Sequence, residues 1–167
     1  SLRSPILANS ILPLKWALAV QGGLVNNFIF TFCNKLAQLK CDDFVVESLY
    51  ELVDIVDDCE DISDTYESIF NFLERNPTSD IGSPGPLVHL LEKHFPSYVP
   101  NLIKSLESAP SINAIFMLHR IMNSSITKQE RQIYLGLLND ISINKSYDVT
   151  VCKEAKEYCD YHSAKYS

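Results

Sequence analysis

Apolar side chains recur at three- and four-residue steps along most of this chain, and this spacing constrains its fold more than any other feature of the sequence. Such a period places one side of a helix in a core and the opposite side in water. The pattern predicts helices near residues 24–40, 43–57, 62–75, 86–94, 97–108, 111–123, 128–143 and 147–163. In the first three segments the side chains predicted to pack inward are Leu24, Phe28, Ile29, Phe32, Leu36 and Leu39, then Val45, Val46, Leu49, Leu52, Val53 and Val56, then Ile62, Tyr66, Ile69, Phe70 and Leu73.

Local signals mark where some of these helices begin. Ser83 and Pro84, near the end of a loop rich in proline and glycine, have the residue types of an N-cap and a first helical position. Gly85 allows this loop to pass close to a neighbouring segment. Thr127 and Glu130 have the spacing of a capping box at the start of the helix near 128–143.

The predicted fold is all-α. The chain has only 5 glycines and no Asn-Gly or Asp-Gly pair, so tight β-hairpins are disfavoured. About eight helices of this length form either a bundle or a stack of helical hairpins similar to HEAT repeats. Hydrophobic residues make up 46% of the chain, enough for a core, and no stretch has the composition of a hinge. We therefore predict a single domain over residues 1–167.

Composition also limits the cellular setting and the partners. The 5 cysteines are an odd and widely spaced set, which favours reduced thiols in the cytoplasm over a disulfide scaffold. Apolar runs near the start of the chain are too short for a membrane span or a signal peptide. The net charge of −7 disfavours direct binding to nucleic acid or to an anionic membrane.

Acidic residues are concentrated in one segment. Residues 41–74 contain 12 carboxylates and no Lys, Arg or His, whereas the rest of the chain has 9 acids against 14 Lys and Arg. Glu47, Glu51, Asp54 and Asp58 are spaced to form one stripe on a helix. Solvated helix faces usually mix signs, because like charges one turn apart cost about 0.2–0.5 kcal/mol per pair. The stripe therefore favours a surface that binds a basic partner, and an ordinary solvated face is the alternative.

Catalytic and metal-binding patterns are weak. A metal site could be drawn from His89, Glu92 and His94, but no HExxH motif accompanies them. The acidic run at 57–64 lacks the central glycine and terminal glutamate of an EF-hand loop. No nucleophile elbow or phosphate-binding loop is present. We expect neither catalysis nor a bound cofactor or metal.

Two segments carry a resemblance to a known family. Residues 81–92 (IGSPGPLVHLLE) and 113–123 (NAIFMLHRIMN), the latter followed by 129–134 (QERQIY), resemble small all-helical immunity proteins of bacterial polymorphic-toxin and contact-dependent growth-inhibition systems. The resemblance implies a partner: a cognate toxin domain, often a nuclease, bound inside the producing cell. It covers about residues 80–142 and leaves the acidic segment outside, where a partner-specific surface is expected. Within the motifs, Arg120 is predicted to hold a carboxylate or carbonyl and Asn123 to cap its helix.

These features together predict a cytoplasmic immunity protein that covers the basic substrate or active-site surface of a toxin with an acidic helical face. A basic toxin domain is the expected partner, since an RNase or DNase needs cationic groups to hold phosphates. A helical-repeat adaptor unrelated to toxins is the alternative. Tyr50 and Tyr66 are the candidate aromatic anchors, and a position in the core is the alternative for Tyr66. The predicted partner-binding residues are Glu47, Tyr50, Glu51, Asp54, Asp57, Asp58, Asp61, Asp64 and Glu67.

Overall fold

The computed structural model describes residues 14–166, with side chains for residues 22–24 and 26–166. The chain is 69% helical, and the described residues contain no strand, as the apolar spacing predicted. The helices are α1 (Leu14–Gln38), α2 (Val45–Val53), α3 (Tyr66–Arg75), α4 (Pro86–Glu92), α5 (Val99–Ser108), α6 (Ile112–Met122), α7 (Lys128–Ile143) and α8 (Val149–Lys165), with a 3₁₀ turn at Ser63–Thr65 before α3.

Polar side chains fix the starts of the last three helices. The Ser111 hydroxyl accepts the backbone N–H of Ala114 at 3.2 Å at the start of α6. At α7 the predicted capping box is confirmed: Thr127 Oγ1 accepts the Glu130 N–H at 3.1 Å, and Glu130 Oε2 accepts the Thr127 N–H at 2.7 Å. Asp148 caps α8 in a similar way. Each bond satisfies a backbone donor that the first helical turn leaves unpaired.

Most helices pack on the helix that lies two positions further along the chain. Contacts of this kind join α1 to α3, α2 to α4, α3 to α5, α5 to α7 and α6 to α8, and α7 and α8 form the most extensive neighbouring pair. The buried side chains form one connected cluster that extends from Phe32 to Ala155. Along the described residues no helix has the length and apolarity needed to cross a bilayer.

Two residues of α1 differ from the predicted core. Leu24 and Phe28 are exposed, whereas Phe32 and Leu36 on the same helix are fully buried. Spacing alone gives all four side chains the same face, but of these four only Phe32 and Leu36 lie deep against neighbouring helices. In α2 and α3 the predicted inward residues are buried, except that Val46 is partly buried.

Several predicted helix bounds are wrong. α1 begins at Leu14, ten residues before the predicted start at 24, and α3 begins at Tyr66 rather than at residue 62. α2 ends at Val53, and residues 54–58 continue as tight turns rather than as helix.

α4 begins at Pro86, as the predicted range 86–94 has it, but its N-cap is Gly85, so the assignment of Ser83 and Pro84 to the N-cap and first helical position is wrong. Gly85 makes a close approach, because a β-carbon there would overlap the carbonyl oxygen of Ile81. This approach is to an earlier residue of the same loop and not to a neighbouring segment.

Candidate functional site

The predicted partner-binding carboxylates lie on the outside of the molecule. We call these eight residues the acidic surface. Glu47 and Glu51 lie on α2, Asp64 lies in the 3₁₀ turn and Glu67 lies in the first turn of α3. The other four occupy the connection between α2 and α3, and all except Asp57 are exposed. The surface is therefore less regular than a helical stripe, but its charges face solvent. Its members are Glu47, Glu51, Asp54, Asp57, Asp58, Asp61, Asp64 and Glu67.

Basic side chains leave most of this charge unpaired. Asp57 accepts a hydrogen bond from Lys93 Nζ at 2.6 Å. Among the described residues, no Lys, Arg or His forms an ion pair with the other seven carboxylates. Like charges without counterions raise the free energy of the folded state and create a negative potential around this region.

Four carboxylates line one groove together with part of α1. Asp54, Asp58, Glu60 and Asp61 lie on the acidic side, and the groove encloses about 860 Å³. Leu24, Phe28 and Ile55 contribute apolar side chains to the same groove. The backbone N–H of Ser63 donates to Asp61 Oδ1 at 2.8 Å, which lowers the pKa of that carboxyl. This region therefore combines negative charge with exposed apolar area.

The two candidate aromatic anchors differ in their exposure to solvent. Tyr50 on α2 is exposed, as an anchor must be. Tyr66 is only 4% exposed, so of its two possible positions it takes the one in the core and is not an anchor. Its hydroxyl hydrogen-bonds Ser97 Oγ at 2.6 Å, and its ring packs edge-on against Tyr98. Tyr66 serves the core because the helical period places it on the inward face of α3.

Of the three residues considered for metal binding, His89, Glu92 and His94, the glutamate is held by an arginine. Both carboxylate oxygens of Glu92 accept hydrogen bonds from Arg120. Glu92 is therefore the carboxylate partner that was predicted for this arginine. His89 Nδ1 lies 3.9 Å from Glu92, beyond hydrogen-bonding distance. No group of three His, Cys, Asp or Glu side chains within the described part of the chain is placed to hold a metal ion.

An aromatic cleft that the sequence analysis missed opens beside this ion pair. It encloses about 370 Å³ between the α4–α5 connection and α6. Phe95 lies at its rim and is 53% exposed, whereas Tyr98 is 2% exposed. Burial and the nearby Glu92 carboxylate raise the pKa of Tyr98 to about 12, so its hydroxyl keeps its proton. The lining residues are Glu92, Phe95, Tyr98, Phe116, His119, Arg120, Ile121, Asn123 and Ser124.

Behind the cleft, His119 joins α6 to α8. Its ring stacks on Tyr158 with centroids 4.1 Å apart, and its Nδ1 lies 3.0 Å from Nε2 of the fully buried His162. Burial lowers the pKa of His119 and lowers that of His162 to about 4. Neither imidazole carries a charge at neutral pH, and the pair is part of the packing between the two helices.

Sequence spacing could not assemble this cleft, because its walls come from segments about twenty residues apart. The only available signal was the aromatic content around Pro96, where Phe95 and Tyr98 lie. Comparison with protein-family models, with curated proteins and with solved structures found no match. The functional interpretation therefore depends on the geometry of the chain itself.

Proposed function

We propose that this chain is an immunity protein that binds a basic toxin domain through the acidic surface and thereby neutralises it inside the producing cell. One observation carries the proposal: seven of the eight carboxylates of the acidic surface have no ion-pair partner among the described residues. On a helix face that only contacts solvent, pairs of opposite charges stabilise the fold, and the acidic surface lacks most of these pairs. The resemblance of residues 81–92, 113–123 and 129–134 to immunity proteins supports a toxin as the class of partner.

Electrostatics supplies a mechanism for such inhibition. A toxin that cleaves RNA or DNA must present cationic side chains to the phosphates of its substrate. A rigid surface carrying carboxylates competes for the same cations, and long-range attraction accelerates the encounter. Once bound, the bulk of the helical body excludes the nucleic acid. A footprint of roughly 1,200–2,000 Å² is typical of such complexes.

The test begins with the reading frame next to this gene, which is expected to encode the toxin domain. Co-expression with this chain is expected to restore growth of cells that the toxin domain kills. The charge-reversed variant Glu47→Lys/Asp54→Lys/Asp58→Lys is expected to associate about tenfold or more slowly and with a weaker dependence on salt. Stopped-flow mixing at several salt concentrations measures both quantities.

A matched control separates position from net charge. The variant Glu107→Lys/Asp140→Lys/Glu157→Lys changes the net charge equally, at exposed or solvent-facing positions outside the acidic surface. It is expected to retain most of the association rate and full protection. Equal slowing in both variants would remove the acidic surface from the mechanism. Binding to many unrelated basic proteins without any protection would instead favour the helical adaptor.

A further inference from the structure

The aromatic cleft lies immediately next to the acidic surface. The Lys93 ammonium donates to Asp57 of that surface at 2.6 Å, and Lys93 directly follows Glu92, which lines the cleft. Phe95, at the rim of the cleft, is two residues further along the chain. A partner that covers the acidic surface around Asp57 therefore contacts the end of α4, where Glu92 lines the cleft.

The chemistry of the cleft suits a planar ring with one polar group. Phe95 and Phe116 offer ring faces or edges to a ligand. An aromatic ring in offset or edge-on contact with them gains more binding energy than its buried apolar area alone provides. The Arg120 guanidinium lies 5.7 Å from the Phe116 ring centre and is neutralised by Glu92, so the wall is polar without carrying net charge. Such a mixed lining and a volume of about 370 Å³ match sites that enclose a compact ring.

The floor of the cleft is aromatic as well. Tyr98 is 2% exposed, and its ring packs edge-on against Phe95 with ring centroids 6.2 Å apart. A planar ring that enters the cleft extends this aromatic packing. The Glu92 carboxylate in the cleft wall can accept a hydrogen bond from an indole N–H or a phenol O–H, which favours tryptophan or tyrosine over phenylalanine or leucine.

We propose that the cleft receives an aromatic side chain, tryptophan or tyrosine, of the same basic protein that docks on the acidic surface. The inference rests on the proposed function for the identity of the partner. It adds the site at which an aromatic side chain of that partner is anchored. In this complex the basic partner supplies the aromatic anchor, and this chain supplies the pocket that receives it. The sequence alone had suggested the reverse, with Tyr50 and Tyr66 of this chain as anchors. Aromatic residues buried in pockets beside charged rims dominate the affinity of many protein interfaces.

The first experiment uses small probes and does not require the toxin. N-acetyl-tryptophanamide is titrated into the ¹⁵N-labelled chain, with N-acetyl-leucinamide as the aliphatic control. The tryptophan probe is expected to shift the amide signals of Phe95, Tyr98, Phe116 and His119, and the leucine probe to shift them much less. Phe95→Ala is expected to weaken this binding about fivefold. Phe44→Ala removes a ring that is 71% exposed outside the cleft, and we expect it to leave the binding unchanged.

The second experiment tests the link to the acidic surface. Acetyl-Trp-Lys-Lys-Lys-amide is compared with acetyl-Trp-Glu-Glu-Glu-amide at low salt. The lysine peptide is expected to bind about tenfold more tightly, because its charges reach the neighbouring carboxylates. Glu47→Lys/Asp54→Lys/Asp58→Lys is expected to remove this difference while leaving the affinity for N-acetyl-tryptophanamide unchanged.

The outcomes separate this inference from the proposed function. Absence of tryptophan-induced shifts in the cleft overturns the inference and leaves the acidic surface untouched. Tryptophan binding without any benefit from lysine overturns the assignment of a basic protein as occupant. Loss of toxin protection in the charge-reversed variant, with full affinity retained in Phe95→Ala, sustains the proposed function and removes the cleft from it.

Discussion

His119 on α6 and His162 on α8 share one hydrogen bond, with Nδ1 of the first lying 3.0 Å from Nε2 of the second. The proton in this bond can be assigned from its neighbours. The Lys165 ammonium can only donate, and it lies 3.1 Å from Asn123 Oδ1. The amide of Asn123 therefore donates through Nδ2 to His119 Nε2, at 3.1 Å. His119 must then carry its proton on Nδ1 and donate it to His162.

This chain of bonds ends in a buried group. Because His162 Nε2 accepts, its proton lies on Nδ1, and this atom has no hydrogen-bond partner among the described residues. His162 is fully buried, and the cations around it are Arg131 on α7 and Lys165 on its own helix. Burial, the neighbouring imidazole and these cations all disfavour protonation of the pair.

The first prediction concerns stability against pH. Burial lowers the pKa of His162 from 6.5 to about 4, so between these values the unfolded chain takes up a proton that the folded chain does not. Stability from this group is complete above pH 6.5 and falls as the pH decreases towards 4. Between pH 7.5 and 5 the expected loss in unfolding free energy is about 2 kcal/mol. Urea unfolding at intervals across this range measures it.

Replacement of histidines provides the control for that measurement. The variant His162→Gln removes the buried imidazole and is expected to flatten the dependence on pH, whatever its absolute stability. His89→Gln removes an exposed imidazole and is expected to keep the slope of the wild type. Equal slopes in all three proteins would show that His162 does not control the acid response.

The second prediction concerns the loop before α4. Gly85→Ala places a methyl group against the Ile81 carbonyl, and we expect it to lower the free energy of unfolding by about 2–3 kcal/mol. The reason is steric, because Gly85 is buried and the loop leaves no room. Thermal and urea unfolding of the purified variant give the change.

A glycine in open surroundings serves as the matched control. Gly136 lies within α7, and a β-carbon there meets no atom within 4 Å. Gly136→Ala is expected to stabilise the protein by up to about 1 kcal/mol, through the helix propensity of alanine. Similar destabilisation by both substitutions would contradict a close approach that is specific to Gly85.

The third prediction concerns the capping box of α7. Thr127→Ala removes the oxygen that accepts the Glu130 N–H, and we expect it to cost about 1 kcal/mol of stability. The Thr127 hydroxyl and backbone N–H both donate to Glu130 Oε2 and lower the pKa of this carboxyl. The variant loses the hydroxyl donor and keeps the N–H, so the pKa of Glu130 is expected to rise part of the way towards its ordinary value. Thr127→Ser keeps the oxygen and is expected to remain close to the wild type. NMR titration and urea unfolding test the two expectations separately.

The fourth prediction concerns the ion pair between Lys93 and Asp57 of the acidic surface. Lys93→Met leaves Asp57 without its partner and increases the negative potential next to the cleft. If the surface attracts a basic toxin domain, association at low salt is expected to accelerate about twofold or more. Lys104→Met removes an exposed lysine elsewhere, and we expect a smaller effect from it. Unchanged association in Lys93→Met would argue against electrostatic guidance through Asp57.

The apolar period was sufficient for the main architecture. It predicted an all-α chain and helices near each observed one, because a helical pattern requires only local spacing. The capping box at Thr127 and a close approach at Gly85 were also predicted, since each depends on residues a few positions apart. The approach at Gly85 is to its own loop, however, and not to a neighbouring segment. The exposure of Glu47, Glu51 and Glu67 follows from the same local rule, whereas Asp54, Asp58 and Asp61 are exposed in the turns between α2 and α3.

Long-range packing decided the remainder. Leu24 has the same spacing as Phe32, but only Phe32 has helices packed over it, so one is exposed and the other is buried. The cleft behind Phe95 and the bond between His119 and His162 join residues 21 to 43 positions apart, which no period of the sequence encodes. Spacing determines which side chains share a helix face, whereas the arrangement of the helices determines which faces are covered and which groups meet.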